Sequence, residues 1–457
     1  MVSHPNVLSL IGNTPLVELR ALDTGPCRLF LKLESQNPGG SIKDRIGCSM
    51  IEAAERDGKV GPGSTLVEAT AGNTGLGLAL VAAQKGYRLI LVIPDKMSQE
   101  KVFHLKALGA EVVMTRSDVG QGHPQYYQDL AESIAKDTPN AWYVNQFNNP
   151  ANPLAHEITT GPEIWEQTGH QLDAVVCGVG SGGTITGLTR FFSRIAPDVE
   201  MVLADPVGSV LADYVETGRV GEAGSWAVEG IGEDFVPPIA DLSRVRRAFR
   251  IADSESLGTA RDLLRCEGIL AGSSSGTLVA AALKYCREQS EPKRVVTFAC
   301  DSGNKYLCKM FNDFWMADRG FLDVPLYGDL RDLITRRFAD GAVVSVGPED
   351  PLAVAYTRMR LYEVSQLPVL RNRKIVGILD ESDLLLAVTE SNDAFRHPVH
   401  RFMSTKLQTL SPCSRVEDLL PVFDAGLVAI VAEGDEFFGL ITRVDLLSFL
   451  RRRHGAA

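Results

Sequence analysis

No run in this chain of 457 residues approaches the roughly 20 consecutive apolar residues that a membrane span needs. The opening MVSHPNVLSL has neither a basic leader nor a long apolar stretch. A soluble cytoplasmic protein with no membrane partner is expected. Cysteine is present but unpatterned: there are eight, none in a C-x-x-C spacing, in a chain far too large to depend on disulfide staples. Reduced thiols are expected, and no zinc or other metal site. Basic blocks are scarce too. Arg451-Arg452-Arg453 is the one run, it follows an apolar stretch, and the formal net charge is −11. Nucleic acid is therefore not an expected partner.

What is present is length enough for two or three domains, each able to bury its own core. Up to about residue 315, short runs rich in Val, Ile and Leu alternate with amphipathic segments: RLILVI (88–93), AEVVMT (110–115), DAVVCGV (173–179), VEMVLAD (199–205) and RVVTFAC (294–300). Apolar runs separated by helices predict an α/β domain whose mostly parallel sheet is covered on both faces. After NDFWMADRGFLDVPLYG the texture changes. VVSVGPEDPLAVAYTRM leads to KIVGILDESDLLLAV, and LQTLSPCSRVEDLLPVF leads to EFFGLITRVDLLSFL. This is a tandem repeat of roughly 60 residues that packs on itself. The expected division is a first domain at 1–318, a linker at 319–332, and α+β repeats at 333–392 and 393–457.

Four turn-to-helix sites stand out in the first domain. In KLESQNPGGSIKDRI (32–46), Ser41 and Asp44 have the spacing of a capping box, which predicts a helix from Ile42 with Lys43 in its first turn. Unpaired amides there disfavour a cation and favour a neutral, nucleophilic amine. Taken alone, the stretch equally suits a solvated lysine balanced by Glu34 or Asp44. In EATAGNTGLGLALVAAQ (68–84), Thr70, Gly72, Asn73, Thr74 and Gly75 could meet a carboxylate at a helix start, or simply form a good turn and cap. In GVGSGGTITG (178–187), the amides of Ser181 to Thr184 suit a phosphate. Gly178, Gly180 and Gly183 also satisfy G-x-G-x-x-G with Asp205 about twenty residues on, the dinucleotide fingerprint. In ILAGSSSGTLVAAALKY (269–285), the serines either cap a helix or offer a hydroxyl to a heteroaromatic nitrogen.

Together these sites fit an amino acid joined to pyridoxal phosphate. The ordered set IGNTPLVEL (11–19), KLESQNPGGSIKDR (32–45), AGNTG (71–75), NPLAH (152–156), GVGSGGTITG, EGIGEDF (229–235) and GSSSG (272–276) resembles the β-family, fold type II, of pyridoxal phosphate enzymes. The likeness is greatest to its cystathionine-forming branch, with the cysteine synthases (O-acetylserine sulfhydrylases) as close kin. The C-terminal repeats resemble a Bateman module, so the resemblance spans essentially the whole chain. It implies mostly parallel sheets in two subdomains. It implies a catalytic Lys43 bonded to the cofactor, Asn73 at its 3′-oxygen, Gly180, Ser181, Gly182, Gly183 and Thr184 around its phosphate, and Ser274 at its ring nitrogen. Thr70, Asn73, Thr74, Gln146 and Gly230 would meet the substrate, with Glu229 as a second catalytic group. A neutral hydroxyl at the ring nitrogen makes a weaker electron sink, which suits β-elimination over transamination. The implied reaction joins L-serine to L-homocysteine to give L-cystathionine and water, with hydrogen sulfide release from cysteine as a side activity. Cysteine synthesis from O-acetylserine and sulfide is the alternative. A nicotinamide dehydrogenase and a non-catalytic adenosine-ligand sensor are remoter ones. A homodimer or higher homo-oligomer is implied.

Some positions depart from the pattern. Ala71 replaces a usual serine, and Phe147 and Glu233 stand where animal enzymes of this kind carry tyrosine. Glu229 favours the cystathionine-forming branch, since the cysteine synthases show glutamine there. No haem is expected, because nothing precedes IGNTPL to supply such an extension. In the repeats, Thr442 and Asp445 keep a T-x-x-D signature that in related modules meets a ribose or phosphate, making an adenosyl ligand such as S-adenosylmethionine the candidate there. The first copy has Asp380 and Asp383 instead, and Asp380 would repel a phosphate. T-x-x-D after a strand is equally a capping box.

Overall fold

The structure is a computed structural model and describes residues 4–70, 72–95, 97–120, 122–323 and 326–453. It divides into two compact units, residues 1–312 and 313–457. The helix Asp313–Asp318, grouped with the first domain on sequence, falls in the second unit.

The first unit holds two sheets. The strands in chain order are β1 (Leu16–Glu18), β2 (Arg28–Lys32), β3 (Thr65–Ala69), β4 (Arg88–Pro94), β5 (Glu111–Thr115), β6 (Ala141–Tyr143), β7 (Ala174–Cys177), β8 (Glu200–Pro206), β9 (Val245–Ile251) and β10 (Arg294–Phe298). Six form a sheet in the order β1-β2-β10-β7-β8-β9 and four a sheet in the order β5-β4-β3-β6. Every pairing is parallel except β1 with β2. Parallel neighbours need helical crossovers, so both faces of each sheet are covered and continuous apolar runs are retained. Successive residues of β3 and β4 serve opposite faces: Leu66, Leu89 and Leu91 meet Ile46, Met50 and Leu76, while Val67, Ile90 and Val92 meet Ala131. The larger core gathers Leu29, Val175, Val202 and Val296 around Leu188 and Leu278.

The helix Lys43–Arg56 begins one residue later than the spacing suggests, with Ile42 at its N-cap and no side-chain cap bond. The expected capping box gives way to a different use of the same residues. Ser41 Oγ accepts from the Lys43 amide at 3.2 Å, and the Asp44 carboxylate reaches back to the Gly39 amide at 2.5 Å. Gly47 and Gly77 let this helix cross the helix Asn73–Lys85 closely: a Cβ on Gly77 would lie 2.6 Å from the Lys43 carbonyl oxygen.

A buried ion cluster anchors the Lys43 turn. Arg45 is fork-bonded to Glu34 (2.8 and 2.8 Å) and to Glu163 (2.7 and 2.7 Å), and Lys32 donates to Glu163, the Thr14 carbonyl and Gln167 at 2.7, 2.7 and 2.9 Å. It ties β2 and the Lys43 helix to the helix Gly161–Gln167, which follows a π-helical turn at His156–Thr160. Burial alone would raise the Glu163 carboxyl; Arg45 and Lys32 outweigh it and hold it at about 2 rather than 4.5.

The second unit repeats one order twice. In the first copy the helix Leu352–Tyr362 precedes the antiparallel pair β11 (Gln366–Arg371) and β12 (Lys374–Asp380), then the helix Glu381–Glu390. In the second, β13 (Thr409–Leu410) and the helix Leu419–Asp424 precede β14 (Ala429–Glu433) and β15 (Glu436–Ile441), then the helix Arg443–Arg453. Each copy has its own core, the first around Leu352, Leu367, Val369 and Leu379, the second around Leu419, Val422, Val431 and Ile441. Leu330, Leu333 and Ile334 insert into the second core. Among the described residues no helix is long and apolar enough to cross a membrane.

The ion cluster predicts an acid-dependent contribution to stability. The Glu163 carboxyl is depressed from 4.5 to about 2, so its contribution is complete above about pH 4.5 and is lost as pH falls towards 2. The stability advantage of the parent over Glu163→Gln, measured by urea denaturation, should shrink by roughly 1.4 kcal/mol per pH unit across that window. A pH-independent difference would contradict the cluster.

Candidate functional site

Four helices of the first unit open on glycine- or serine-rich turns, at Lys43, Asn73, Gly183 and Ser273. Their starts are tied together by side chains. Lys43 is half-buried and its amine makes no hydrogen bond or ion pair with the described residues. Burial pushes it below the ordinary 10.5, and the neighbouring Cys300, Glu233 and Asp301 oppose this only in part. The lysine is thus chemically different from its neighbours. Lys32, Lys101 and Lys305 are all buried and all bonded to oxygen acceptors.

Asn73 donates to Asp301 Oδ2 at 2.7 Å and accepts from Lys305 at 3.0 Å. Lys305 also holds the Gly39 and Gly40 carbonyls, 3.2 and 3.1 Å away, just before the Lys43 turn. Burial brings its amine down to about 8. Tyr306 donates to Asp301 Oδ2 at 2.7 Å, and Lys101 donates to Tyr306 at 2.9 Å and to Glu229 at 2.7 Å. Lys309 takes the other Glu229 oxygen at 2.7 Å, and the Glu229 amide donates to Ser273 Oγ at 3.0 Å. Burial would raise the Glu229 carboxyl, but the two ammonium groups outweigh it and keep it below its ordinary value. Glu229 is therefore an ionised, fixed group. Asp301, Lys305, Tyr306, Lys309 and Lys101 are absent from the sequence-based site. The signal available for four of them is position, since DSGNKYLCK follows directly on the run RVVTFAC, at the carboxyl end of a strand where α/β ligand sites gather.

The loop after β7 brings Gly180, Ser181, Gly182, Gly183 and Thr184 to the first turn of the helix Gly183–Ile195, whose amides lack helical acceptors. Gly182 has a left-handed φ of +88°. A Cβ on Gly180 would sit 2.6 Å from the Gly230 carbonyl oxygen, and one on Gly183 would overlap Asn152 Oδ1 at 1.8 Å. Asn152 Nδ2 bridges Ser181 Oγ (3.0 Å) and the Gln146 carbonyl (2.8 Å). Thr184 Oγ1 lies 3.2 Å from Nε2 of His156, whose complete burial keeps it neutral, well below 6.5. Ser274, in the first turn of the helix Ser273–Arg287, lies against the Cys300 thiol.

In the remaining loop Thr70 Oγ1 accepts from the Gly72 and Gly75 amides at 3.0 and 3.3 Å. Thr74 donates to Gln146 Oε1 at 2.7 Å, and Gln146 donates to the Ala69 carbonyl at 3.1 Å. Ala71 lies outside the described residues. Phe147 is buried with its ring 5.7 Å from Phe235, and the Glu233 carboxylate is close enough to Lys43 to oppose its shift. Asp205, the acid of the dinucleotide alternative, is fully buried and accepts from the Ala212 amide at 2.9 Å. Thr442 and Asp445 engage each other, amide to carboxylate at 2.7 Å and hydroxyl to carboxylate at 2.6 Å, with Thr335 on the other oxygen. Asp380 and Asp383 form a reciprocal capping box.

These residues fit pyridoxal phosphate on three counts. The glycine turn packs too closely on Gly230, Ala240 and Asn152 to admit a Cβ and carries backbone amides at the start of the helix Gly183–Ile195, the Lys43 amine is uncommitted, and the buried Asp301 Oδ1 next to Asn73 has no partner. Comparison with known proteins agrees. Residues 7–301 match the family described as pyridoxal-phosphate dependent enzyme, and residues 330–390 match the CBS domain. The cystathionine beta-synthase of Dictyostelium discoideum is 36% identical over 462 residues, covering 98% of this chain and 92% of that one. Two solved structures superpose with a TM-score of 0.63. A hydrogen sulfide-producing enzyme from Fusobacterium nucleatum is 34% identical and covers 67% of this chain and 100% of its own. An O-acetylserine dependent cystathionine beta-synthase from Helicobacter pylori is 35% identical, covering 68% and 99%.

The 1.8 Å overlap at Gly183 makes the cradle testable. Gly183→Ala should weaken pyridoxal phosphate binding at least about tenfold in an absorbance titration, a loss of about 1.4 kcal/mol or more, with far-ultraviolet dichroism unchanged. Undiminished affinity would mean that the phosphate lies elsewhere.

Proposed function

The chain belongs to the pyridoxal-phosphate dependent enzyme family and, within it, to the cystathionine β-synthases, and from that premise we propose that it joins L-serine to L-homocysteine, giving L-cystathionine and water. The observation that carries this reading is the Lys43 amine, desolvated and uncommitted at the start of its helix. When bound, pyridoxal phosphate supplies the electron sink that lets a proton leave the substrate Cα. Lys43 would hold the cofactor covalently, and its Nζ would take that proton and assist the departing Cβ oxygen. Gly180 to Thr184 would hold the phosphate, Asn73 the 3′-oxygen, and Ser274 would offer the ring nitrogen a neutral hydroxyl. Thr70, Thr74 and Gln146 orient the substrate carboxylate, and Gly230 lies beside it. Glu229, fixed by Lys101 and Lys309, is the charged group facing the second substrate. The homocysteine thiolate then adds at Cβ.

A second reading concerns the leaving group. The Helicobacter pylori relative is described as O-acetylserine dependent, and in this reading the same residues displace acetate rather than hydroxide. Release of hydrogen sulfide from cysteine is proposed as a side activity, in keeping with the description of the Fusobacterium nucleatum relative. We further propose a cytoplasmic homodimer, with residues 1–318 as the catalytic domain, 319–332 as linker and the tandem repeats as a regulatory or assembly module.

Lys43→Ala should abolish the absorbance of the bound cofactor in the region of about 410 to 430 nm and lower kcat/KM at least about 1,000-fold. Serine with homocysteine should exceed O-acetylserine with sulfide in kcat/KM, and Glu229→Gln should lower the first pair more than the second. Preference for O-acetylserine with homocysteine would establish the second reading; preference for O-acetylserine with sulfide would overturn both.

A further inference from the structure

Lys305 is buried, with 6% of its surface exposed, in the single helical turn Gly303–Tyr306 that follows the end of β10. Its Nζ donates to three oxygens, Asn73 Oδ1 at 3.0 Å and the Gly39 and Gly40 carbonyls at 3.2 and 3.1 Å. A neutral amine has two hydrogens to give and an ammonium three, so three acceptors around this one nitrogen mark the charged form. Burial lowers the amine only to about 8, and the charge survives at neutral pH. All three acceptors are neutral groups. Among the described residues no carboxylate pairs with Lys305, and Asp301 and Asp44 act on it only through space. A buried ammonium without a counter-ion in contact is costly, and an anion brought to the Asn73 side offsets that cost.

The same bonds fix the Asn73 side chain. Its Nδ2 donates to Asp301 Oδ2 at 2.7 Å while its Oδ1 accepts from Lys305. Turned over, the amide would set its N–H groups against the ammonium and its oxygen against the carboxylate, losing both bonds. Tyr306 also donates to Asp301 Oδ2, at 2.7 Å, and holds the carboxylate in place. Nδ2 therefore keeps one hydrogen that meets no acceptor among the described residues, on a side chain that is only half-buried. A cation on the amide oxygen polarises the amide and strengthens that N–H as a donor.

We propose that Lys305 is a positioning residue for the cofactor, acting through Asn73: it locks the amide so that the remaining Nδ2 hydrogen is offered to the cofactor's 3′-oxygen, and thereby favours that oxygen as an anion. The proton shared between the 3′-oxygen and the Lys43 nitrogen then rests on the nitrogen. The proposal rests on Lys43 as the anchor and Asn73 as the neighbour of the 3′-oxygen. The bonds to Gly39 and Gly40 offer a rival path, through the Lys43 turn.

The absorbance of the full-length, cofactor-loaded protein at about pH 7 separates the two, because a cofactor with an ionised 3′-oxygen absorbs at about 410 to 430 nm and one that keeps the proton there absorbs near about 330 nm. Lys305→Met should lower the ratio of the visible to the near-ultraviolet band at least about fivefold, with cofactor stoichiometry and far-ultraviolet dichroism unchanged. Lys305→Gln, which keeps a donor without the charge, should fall between Lys305→Met and the parent. In an Asn73→Ala background Lys305→Met should move the ratio by less than about twofold. Parental ratios in both Lys305 variants would overturn the proposal. So would an undiminished effect of Lys305→Met in Asn73→Ala protein, which would locate its action in the Lys43 turn. A visible band that survives Lys43→Ala would sink the proposal together with the reading it rests on, a result distinct from either.

Discussion

A lysine amine inside a protein is available for bonding only if no acceptor claims it, and the first unit is arranged around one such amine. Lys43 sits at the start of a helix, where the unpaired amides oppose its charge, and burial lowers its basicity further. The interior lysines around it are each committed: Lys32 to Glu163, Lys101 to Glu229 and Tyr306, Lys305 to Asn73 and two carbonyls. Their engagement is what makes Lys43 distinctive. An interior with several unpaired ammonium groups would carry a large desolvation cost, whereas here Lys32, Lys101 and Lys305 each have oxygen partners and Lys43 has none among the described residues.

The rest of the unit follows from holding that turn in place. Arg45, two residues on, is locked between Glu34 and Glu163, so the helix carrying Lys43 cannot rotate without breaking a buried ion cluster. Gly47 and Gly77 bring the Asn73 helix against it, and the Asn73–Asp301–Tyr306–Lys101–Glu229 chain runs on from there. The glycine cradle is connected to the carboxylate loop by Asn152 and Gln146. The Asn73 turn is thereby linked to Glu229, and the glycine turn to Gln146, through hydrogen bonds of 2.7 to 3.0 Å.

Much of this was legible in the sequence because hydrophobic runs and glycine turns carry strong local signals. RLILVI and RVVTFAC are central strands, and the tandem repeat emerges as two copies of one element order. β9, VRRAFRI, gives no such signal, since three arginines interrupt it, and β6 has only three residues. The capping box at Ser41 misled because Asp44 has a better donor in the Gly39 amide, a competition that spacing cannot reveal. The buried charged chain was invisible for a different reason: charged residues at 101, 229 and 301–309 read as solvated surface until the fold brings them together. At Thr442 and Asp445 two readings stood open, and their mutual bonding has the geometry of the cap.

The most direct test of this account is to reduce the purified, cofactor-loaded protein with borohydride and map the modified peptide by mass spectrometry. The account predicts one phosphopyridoxyl group, on Lys43, with Lys32, Lys101, Lys305 and Lys309 unmodified. Stoichiometric labelling of any of those four, or a loaded protein in which reduction fixes nothing to Lys43, would contradict it.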